Sequence, residues 1–347
     1  MNLTDRISSF STLGEILRDA LAGKYGRFTS KLEQLIETQH ITNPWFTPEN
    51  VRMAVSSIAD VLTIENLKKW TDSYPGFQYD YKPVRVAVIM AGNIPLVGFH
   101  DFLSVLITGN NIIAKTSSRD HDLIVFIKDI LCHINPEFSE RIRFEEGPLS
   151  GFDAVIATGS DNTSRYFEHY FGKYPNIIRR NRNSIAILDG NETGDELESL
   201  GNDIFSYFGL GCRNVSKLYV PEKYDFTSMI GCWTRYSRLT GHSKYANNYD
   251  FNKAIFLVNR DKFIDTGFVL IRENHALSSP VAVLNFEYFR SFDQVKKTTD
   301  ELKNKIQCIT GRNHLPFGTA QSPALWDYAD GTDTLEFLLK KNIAGIL

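Results

Sequence analysis

A cysteine in a glycine-rich turn is the residue of this chain best suited to covalent chemistry. Cys212 follows Gly209 and Gly211, and a β-branched segment typical of a strand, residues 215–220, comes after it. Glycine allows a sharp turn and a close approach of the backbone to a ligand. A cysteine there presents its sulfur and its own N–H to one small space, as a thiolate nucleophile beside an oxyanion donor would. The alternative is a small apolar side chain buried in a turn.

Three further polar groups each follow a predicted strand. Asn93 lies in a Gly-Asn-Ile-Pro turn, where its amide suits a developing oxyanion or favours the turn itself. Lys115 ends the next strand, before three hydroxyl residues and Arg119, and this group suits a ribose phosphate or simple solvation. The Thr-Gly-Ser sequence at 158–160 ends a third strand and opens a helix, where backbone N–H groups suit a phosphate or serve only as a helix start.

Strands and helices alternate from residue 84 onward, which predicts α/β architecture with a doubly wound parallel sheet. Such sheets bind ligands at the carboxyl ends of their strands. Residues 1–75 instead have the apolar spacing of helices, including a helix start at Thr47-Pro48. The strands predicted for the first sheet are 84–90, 111–115, 154–157 and 184–188, and those of a second α/β region are 217–220, 254–258 and 281–286.

A chain of 347 residues is long for one hydrophobic core, so we expect more than one domain. The predicted division has four parts. They are a helical N-terminal segment over 1–80, a nicotinamide-cofactor-binding domain over 81–190, a catalytic domain over 191–330 and a tail over 331–347.

The composition excludes several classes of function. A net charge of −3 gives no electrostatic reason to expect nucleic acid or an anionic membrane as a partner. The four cysteines lack CxxC spacing and the eight histidines form no zinc motif, so we expect no metal. The N-terminus lacks the apolar core of a signal peptide and no segment is long enough for a membrane span, which favours a cytoplasmic protein.

The order of these segments resembles the aldehyde dehydrogenase superfamily from about residue 80 to 320. Within it, the chain is most similar to acyl-CoA reductases of the LuxC type, the fatty acid reductase component of bacterial luminescence systems. The resemblance implies a Rossmann-type cofactor domain and an α/β catalytic domain. The closer similarity is carried by residues 179–184, 211–216 and 318–323.

The resemblance also implies roles for single residues. Cys212 would carry the acyl group as a thioester, and Asn93 with the Cys212 N–H would form the oxyanion hole. Lys115 would contact the adenosine ribose of the cofactor, and the turn after the third strand would approach its pyrophosphate. The implied cofactor-binding residues are Lys115, Ser118, Arg119, Thr158, Gly159 and Ser160.

The chain departs from the superfamily pattern in ways that bear on the reaction. Residues 182–186 carry no counterpart of the glutamate that activates water in hydrolytic relatives, which favours CoA over water as exchange partner. Residues 276–281 also lack the glutamate that holds the nicotinamide ribose in relatives. His275 lies just before this segment, where it could act as an acid or base toward the leaving thiolate or the aldehyde oxygen, or serve only in packing or at the surface. Ser118 stands where NAD-preferring relatives often have a carboxylate, and Arg119 follows it, so we predict NADPH over NADH.

The sequence therefore predicts an acyl-CoA reductase that converts a fatty acyl-CoA to an aldehyde with NADPH, through a thioester on a cysteine. One alternative is an acyl-phosphate reductase of the same superfamily. Another is a subunit that receives an acyl group and passes it on without reduction. The expected partners are acyl-CoA or an acyl carrier, a protein that delivers the acyl group, and further copies of this chain in a homo-oligomer.

Overall fold

A computed structural model describes residues 1–79 and 82–339 and divides the chain into two compact units. The first unit comprises Met1–Arg180 together with the chain from Ala324 onward, and the second is Asn181–Pro323. The division falls after Arg180, earlier than the boundary expected near 190, because the strand that follows pairs in the second unit. Residues 340–347 of the expected tail lie outside the described residues.

The first unit contains a five-stranded parallel sheet with the order β3-β2-β1-β4-β5. The strand order reverses between β1 and β4, which are direct neighbours, and ligands of doubly wound sheets bind at such a point. The strands are β1 Arg85–Ile89, β2 Asn111–Lys115, β3 Ile142–Phe144, β4 Ala154–Thr158 and β5 Asn176–Arg179.

Four helices form the N-terminal segment, as its apolar spacing predicts. Leu13 and Leu17 of the first helix and Val51 of the third are fully buried in one shared core. Thr47 caps the third helix by accepting a hydrogen bond from Asn50 N, with proline at the first helical position. The helices up to the end of the first sheet are α1 Leu3–Leu21, α2 Thr29–Thr42, α3 Pro48–Val61, α4 Ile64–Asp72, α5 Phe99–Ile107, α6 Asp122–Ile134, α7 Phe138–Arg141 and α8 Asp161–Phe171.

The second unit contains a six-stranded sheet with the order β11-β6-β7-β10-β9-β8, in which only β8 runs antiparallel to its neighbour. No helix in the described part of the chain is long and apolar enough to cross a membrane. The strands are β6 Asn183–Ile187, β7 Val215–Pro221, β8 Ile264–Asp265, β9 Leu270–Glu273, β10 Val283–Phe289 and β11 Ile306–Thr310. The helices are α9 Gly194–Phe205, α10 Thr227–Cys232, α11 Ser243–Asn259 and α12 Phe292–Glu301.

One predicted strand does not form, and another lies in a different sheet from the one predicted. Residues 254–258 lie in α11, where Phe256 is buried and Val258 is 82% exposed, and this helical alternation was hidden by a run of apolar side chains. The strand predicted at 184–188 exists as β6, but it pairs with β7 and β11 of the second sheet. A fully buried strand carries no sequence signal of which sheet it joins. The strand predicted at 281–286 forms two residues later, as β10.

A buried arginine fastens the C-terminal residues to the first unit. Arg179, at the end of β5, is 3% exposed and forms ion pairs with Asp101 and, at 3.3 Å, with Asp330. It also donates to Oγ1 of Thr334 at 2.8 Å, at the start of the last described helix, α13, Thr334–Leu339. One buried cation therefore ties the chain beyond Ala324 to the sheet.

We expect Arg179→Ala to lower the free energy of unfolding by about 3–5 kcal/mol, because the buried Asp101 and the half-buried Asp330 would lose their counter-charge. Its neighbour Arg180 is exposed and pairs with Glu168 on the surface, so Arg180→Ala should lower it by at most about 1 kcal/mol. Urea denaturation of the three proteins measures both values. Equal losses in the two variants would contradict the anchoring role of Arg179.

Candidate active site

The cysteine predicted to be the nucleophile lies in a turn with unusual backbone geometry. Cys212 is exposed and is preceded by a short 3₁₀ turn at Ser206–Gly209. Within that turn, Tyr207 and Phe208 have φ angles of 52° and 58°, in the left-handed region that disfavours residues with a side chain by about 1–2 kcal/mol each. Both rings are buried, and Phe208 packs 4.5 Å from the ring of His242. Strained backbone of this kind persists only where the surroundings hold it.

The side chain of Asn214 holds the turn from inside. Asn214 is 2% exposed, and its Oδ1 accepts a hydrogen bond from Gly211 N at 2.8 Å. Its Nδ2 donates to the carbonyl oxygens of Asp203 and Ser206 at 3.1 and 2.9 Å, and lies 3.4 Å from that of Ile204. One amide thus fastens the residue before Cys212 to the end of α9.

A hydroxyl on the neighbouring strand holds the other side of the turn. Ser184, on β6, is fully buried and donates from Oγ to the carbonyl oxygen of Cys212 at 2.9 Å. Oγ of Ser184 also lies 3.0 Å from Sγ of Cys308 and accepts a hydrogen bond from Cys308 N at 3.2 Å. The side chain of Ser184 therefore helps to fix the Cys212 carbonyl group.

The segment after the cysteine is tied to residues 318–320. Arg213 donates from Nε to the carbonyl oxygen of Ala320 at 2.5 Å. Both carboxylate oxygens of Asp203 accept backbone hydrogen bonds, from Gly318 N at 2.7 Å and from Ala320 N at 2.9 Å. Burial raises the pKa of Asp203 to about 6, although these two N–H groups oppose the shift. Residues 211–216 and 318–323, the two segments that carry part of the closer family resemblance, are therefore in direct contact.

His275 and a lysine that sequence analysis missed share one carboxylate. Lys217 is fully buried on β7 and donates to Glu287 Oε2 at 2.5 Å and to the carbonyl oxygen of His275 at 2.9 Å. Burial lowers the pKa of Lys217, while Glu287 opposes the shift. The ring of His275 is 89% exposed, with Nδ1 3.3 Å from Glu287 Oε1. These contacts fix the 274–278 segment against the sheet, and a role for His275 as acid or base stays a prediction.

In the first unit, Asn93 is exposed at the carboxyl end of the sheet, in the turn after β1. Nδ2 of Asn43 donates to the carbonyl oxygen of Gly92 at 3.3 Å. Oδ2 of Asp120 accepts a hydrogen bond from Leu96 N at 2.8 Å. The side chains of Asn43 and Asp120 are both buried, and they hold the backbone of this turn on either side of Asn93.

The predicted ribose-binding group lies at the end of β2. Lys115 donates from Nζ to the carbonyl oxygen of Gly147 at 2.7 Å, and so lies over the loop between β3 and β4. That loop also carries Glu145 and Glu146, which add negative charge near the lysine. Ser118 and Arg119 are exposed in the turn after β2.

The predicted pyrophosphate-binding turn joins β4 to α8 and flanks the point where strand order reverses. Ser160 caps α8, accepting from Thr163 N at 3.3 Å. A Cβ atom on Gly159 would lie 2.9 Å from the ring of Phe167 and 3.0 Å from Cβ of Thr163, so a side chain there would require a neighbour to move. The N–H of Gly159 bonds to Arg179 O at 3.3 Å, so Gly159 can offer close approach but not its N–H to a ligand.

The structure thus gathers the predicted residues in two groups. The nucleophile belongs to the second unit, and Asn93 with the cofactor residues belongs to the first. Among the described residues, no cluster of three or more histidine, cysteine or acidic side chains is arranged to hold a metal ion. No role could be assigned to Ser184, Asn214 or Asp203 from the sequence. Each acts through hydrogen bonds to backbone groups elsewhere in the sequence, which residue type and spacing do not reveal.

Comparison with known proteins gives sequence relatives for most of the chain. A family model described as acyl-CoA reductase (LuxC) matches residues 29–229. A curated protein from Photobacterium leiognathi named long-chain acyl-protein thioester reductase 2 is 24% identical over 192 residues. That alignment covers 50% of this chain and 40% of the relative, so the chain matches less than half of the relative's length.

Solved aldehyde dehydrogenases share the fold, which confirms the expected architecture. The NAD-dependent aldehyde dehydrogenase from Sinorhizobium meliloti has a TM-score of 0.66, with 11% identity, over 92% of this chain and 72% of its own. Aldehyde dehydrogenase 21 from Physcomitrella patens, solved with the reaction product succinate, has a TM-score of 0.63, with 13% identity, over 89% and 72%. At such identities the likeness establishes the fold alone.

We expect Asn214→Ala to lower the free energy of unfolding by about 2–4 kcal/mol, because Gly211 N–H and several carbonyl groups would lose a buried partner. Asn214→Asp should be at least as unstable, because a carboxylate cannot donate to those carbonyl oxygens. The exposed Asn247 on α11 provides the matched control, and Asn247→Ala should change stability by less than about 0.5 kcal/mol. Urea denaturation measures all three, and a wild-type value for Asn214→Ala would contradict this role.

Proposed function

Because the chain belongs to the acyl-CoA reductase (LuxC) family, we propose that it reduces an acyl thioester to an aldehyde through an acyl group held on Cys212. The observation that carries the proposal is the cysteine turn. It lies inside the matched segment, exposes the side chain and is held by Asn214 and Ser184. A nucleophile on a rigid turn reacts from a defined position, which is what covalent catalysis needs.

In the proposed first step, the thiolate of Cys212 attacks the carbonyl carbon of the acyl thioester. The new carbon–sulfur bond forms first and the carbon–sulfur bond to the leaving thiolate then breaks, so a thioester is exchanged for a thioester and nothing is oxidised. Negative charge collects on the carbonyl oxygen between these events. The Cys212 N–H and the exposed amide of Asn93 are the proposed donors to that oxygen.

The end of the first sheet fits a nicotinamide cofactor. A closely packed glycine and a capped helix start follow β4, and a lysine ends β2, on either side of β1 at the point of strand-order reversal. Gly159, Ser160 and Lys115 are the residues proposed to hold its pyrophosphate and ribose. A reduced nicotinamide cofactor bound there would supply a hydride to the acyl carbon. The bond from that carbon to Sγ of Cys212 would then break, which would release the aldehyde and return the cysteine thiolate.

We propose that the thioester on Cys212 is protected from hydrolysis because no free carboxylate among residues 1–79 and 82–339 is placed to activate water beside it. Asp203, a carboxylate close to the cysteine turn, already accepts hydrogen bonds from the N–H groups of Gly318 and Ala320. Ser184, which lies against the Cys212 backbone, is too weak a base to activate water. A thioester in such surroundings would persist until it is reduced or exchanged with another thiol.

The substrate we propose is a fatty acyl thioester, carried either by CoA or by a protein. The family description points to CoA, and the name of the Photobacterium leiognathi relative refers to an acyl-protein thioester. The two donors share the reacting group, so the same cysteine chemistry serves both. We also propose that the enzyme is a homo-oligomer. Where the acyl group is bound to a protein, we propose that this partner protein delivers it to the enzyme.

We expect Cys212→Ala to lose aldehyde production from long-chain acyl-CoA completely, because no other group would form the thioester. The half-buried Cys232 on α10 is the matched control, and Cys232→Ala should retain activity within about 3-fold, as for a conservative change away from the reacting atoms. Aldehyde is measured directly as a trapped hydrazone. Aldehyde production by Cys212→Ala would contradict the proposal.

The proposed preference for NADPH depends on Arg119, whose guanidinium would pair with the 2′-phosphate. We expect Arg119→Ala to reduce the ratio of NADPH to NADH affinity about 10-fold or more, as loss of a charge-assisted contact implies. Arg52→Ala, at an exposed arginine on α3, should leave the ratio unchanged. Titration of both cofactors by fluorescence gives the ratios, and an unchanged ratio in Arg119→Ala would refute this assignment.

A further inference from the structure

We propose that Asp120 is a positioning residue for Asn93, holding the turn that presents the Asn93 amide to the oxyanion. This inference rests on the proposed oxyanion role of Asn93. Asp120 is 5% exposed and lies directly after the two residues proposed to bind the cofactor's 2′-phosphate. A single side chain would thereby link the cofactor segment to the oxyanion turn.

The contact of Asp120 is with the backbone of the turn itself. Its Oδ2 accepts a hydrogen bond from Leu96 N at 2.8 Å, three residues after Asn93, and the N–H of Val97 adds to it. Leu96 is buried and has a φ angle of 57°, in the region that disfavours residues with a side chain. A turn with a strained residue needs an outside restraint, and a carboxylate accepting N–H bonds provides a strong one.

The two segments are also packed closely. A side chain on Gly92 would lie 2.4 Å from Oγ of Ser117, so the turn after β1 and the turn after β2 touch at a glycine. Asp120 N donates to the carbonyl oxygen of Ser117 at 3.0 Å, which fixes the carboxylate relative to β2. Movement of residues 117–120 would therefore move the turn that carries Asn93.

An ordinary structural role explains these contacts less well. Asp120 stands just before α6, but its carboxylate accepts from a residue 24 positions away and not from the start of that helix. Among the described residues, its other oxygen, Oδ1, has no hydrogen-bond partner. Burial, with a smaller contribution from the Asp122 carboxylate, raises its pKa to about 7. Burial of this carboxylate costs free energy, which its hydrogen bonds to the turn after β1 offset in part.

A double-mutant cycle on the acylation step tests the inference. The measured quantity is the rate at which a long-chain acyl-CoA acylates Cys212, determined by rapid quenching and intact-mass measurement. It is compared in the wild type, Asn93→Ala, Asp120→Ala and the double variant. We expect Asn93→Ala to be about 100-fold slower, as for loss of an oxyanion donor, and Asp120→Ala about 10- to 100-fold slower. Because Asp120 acts through Asn93, the double variant should match Asn93→Ala within about 2-fold.

Two further variants separate positioning from folding. Asp120→Asn keeps an acceptor for Leu96 N and should fold, with a loss of only about 3- to 10-fold in acylation, since a neutral acceptor is weaker. Asp129→Ala, at an exposed carboxylate on α6 that pairs with Lys128, is the acidic control and should acylate at the wild-type rate. Wild-type acylation by both Asp120→Ala and Asp120→Asn would overturn the inference.

The outcomes distinguish this inference from the proposed function. Rate losses that multiply in the double variant would show that Asp120 acts independently of Asn93, and would overturn the inference while leaving the oxyanion role intact. A wild-type rate for Asn93→Ala would overturn both the oxyanion role and the inference. Absence of acylation in the wild type would overturn the proposed function itself.

Discussion

The buried amide of Asn214 is the constraint on which the candidate site depends. It satisfies an N–H just before the cysteine and carbonyl groups at the end of α9, so the backbone can pass through left-handed angles at two residues that are not glycine. Side-chain bonds of this kind replace the regular hydrogen bonds that a turn lacks. Without them, the exposed thiol would have no fixed direction, and a nucleophile gains little from a mobile position.

The same principle operates at the other half of the proposed machinery. Asn93 is exposed, and its turn is held by the buried side chains of Asn43 and Asp120. In both places a reactive group at the surface depends on a polar residue beneath it that bonds only to backbone. The two sheets supply rigid edges, and the buried polar residues adjust the turns at those edges.

Sequence alone was sufficient for the fold class and for the family, because glycine turns, strand-helix alternation and motif order are local features. It also placed Lys115 and Ser160 at the strand and helix ends where they are found. It failed at residues 254–258, where an apolar helix face resembled a strand, and at β6, whose sheet is set by pairing with distant strands. Ser184 and Asp203 could not be assigned, because their partners are backbone atoms brought near only by folding.

The central claim is that Cys212 carries the acyl group and that the reduced cofactor releases it. The most direct measurement is the intact mass of the protein after mixing with long-chain acyl-CoA, before and after addition of NADPH. We expect one acyl adduct, mapped to Cys212, that survives in buffer and disappears with NADPH as aldehyde forms in equal amount. An adduct that NADPH does not discharge, or an acyl group mapped to another residue, would contradict this role of Cys212.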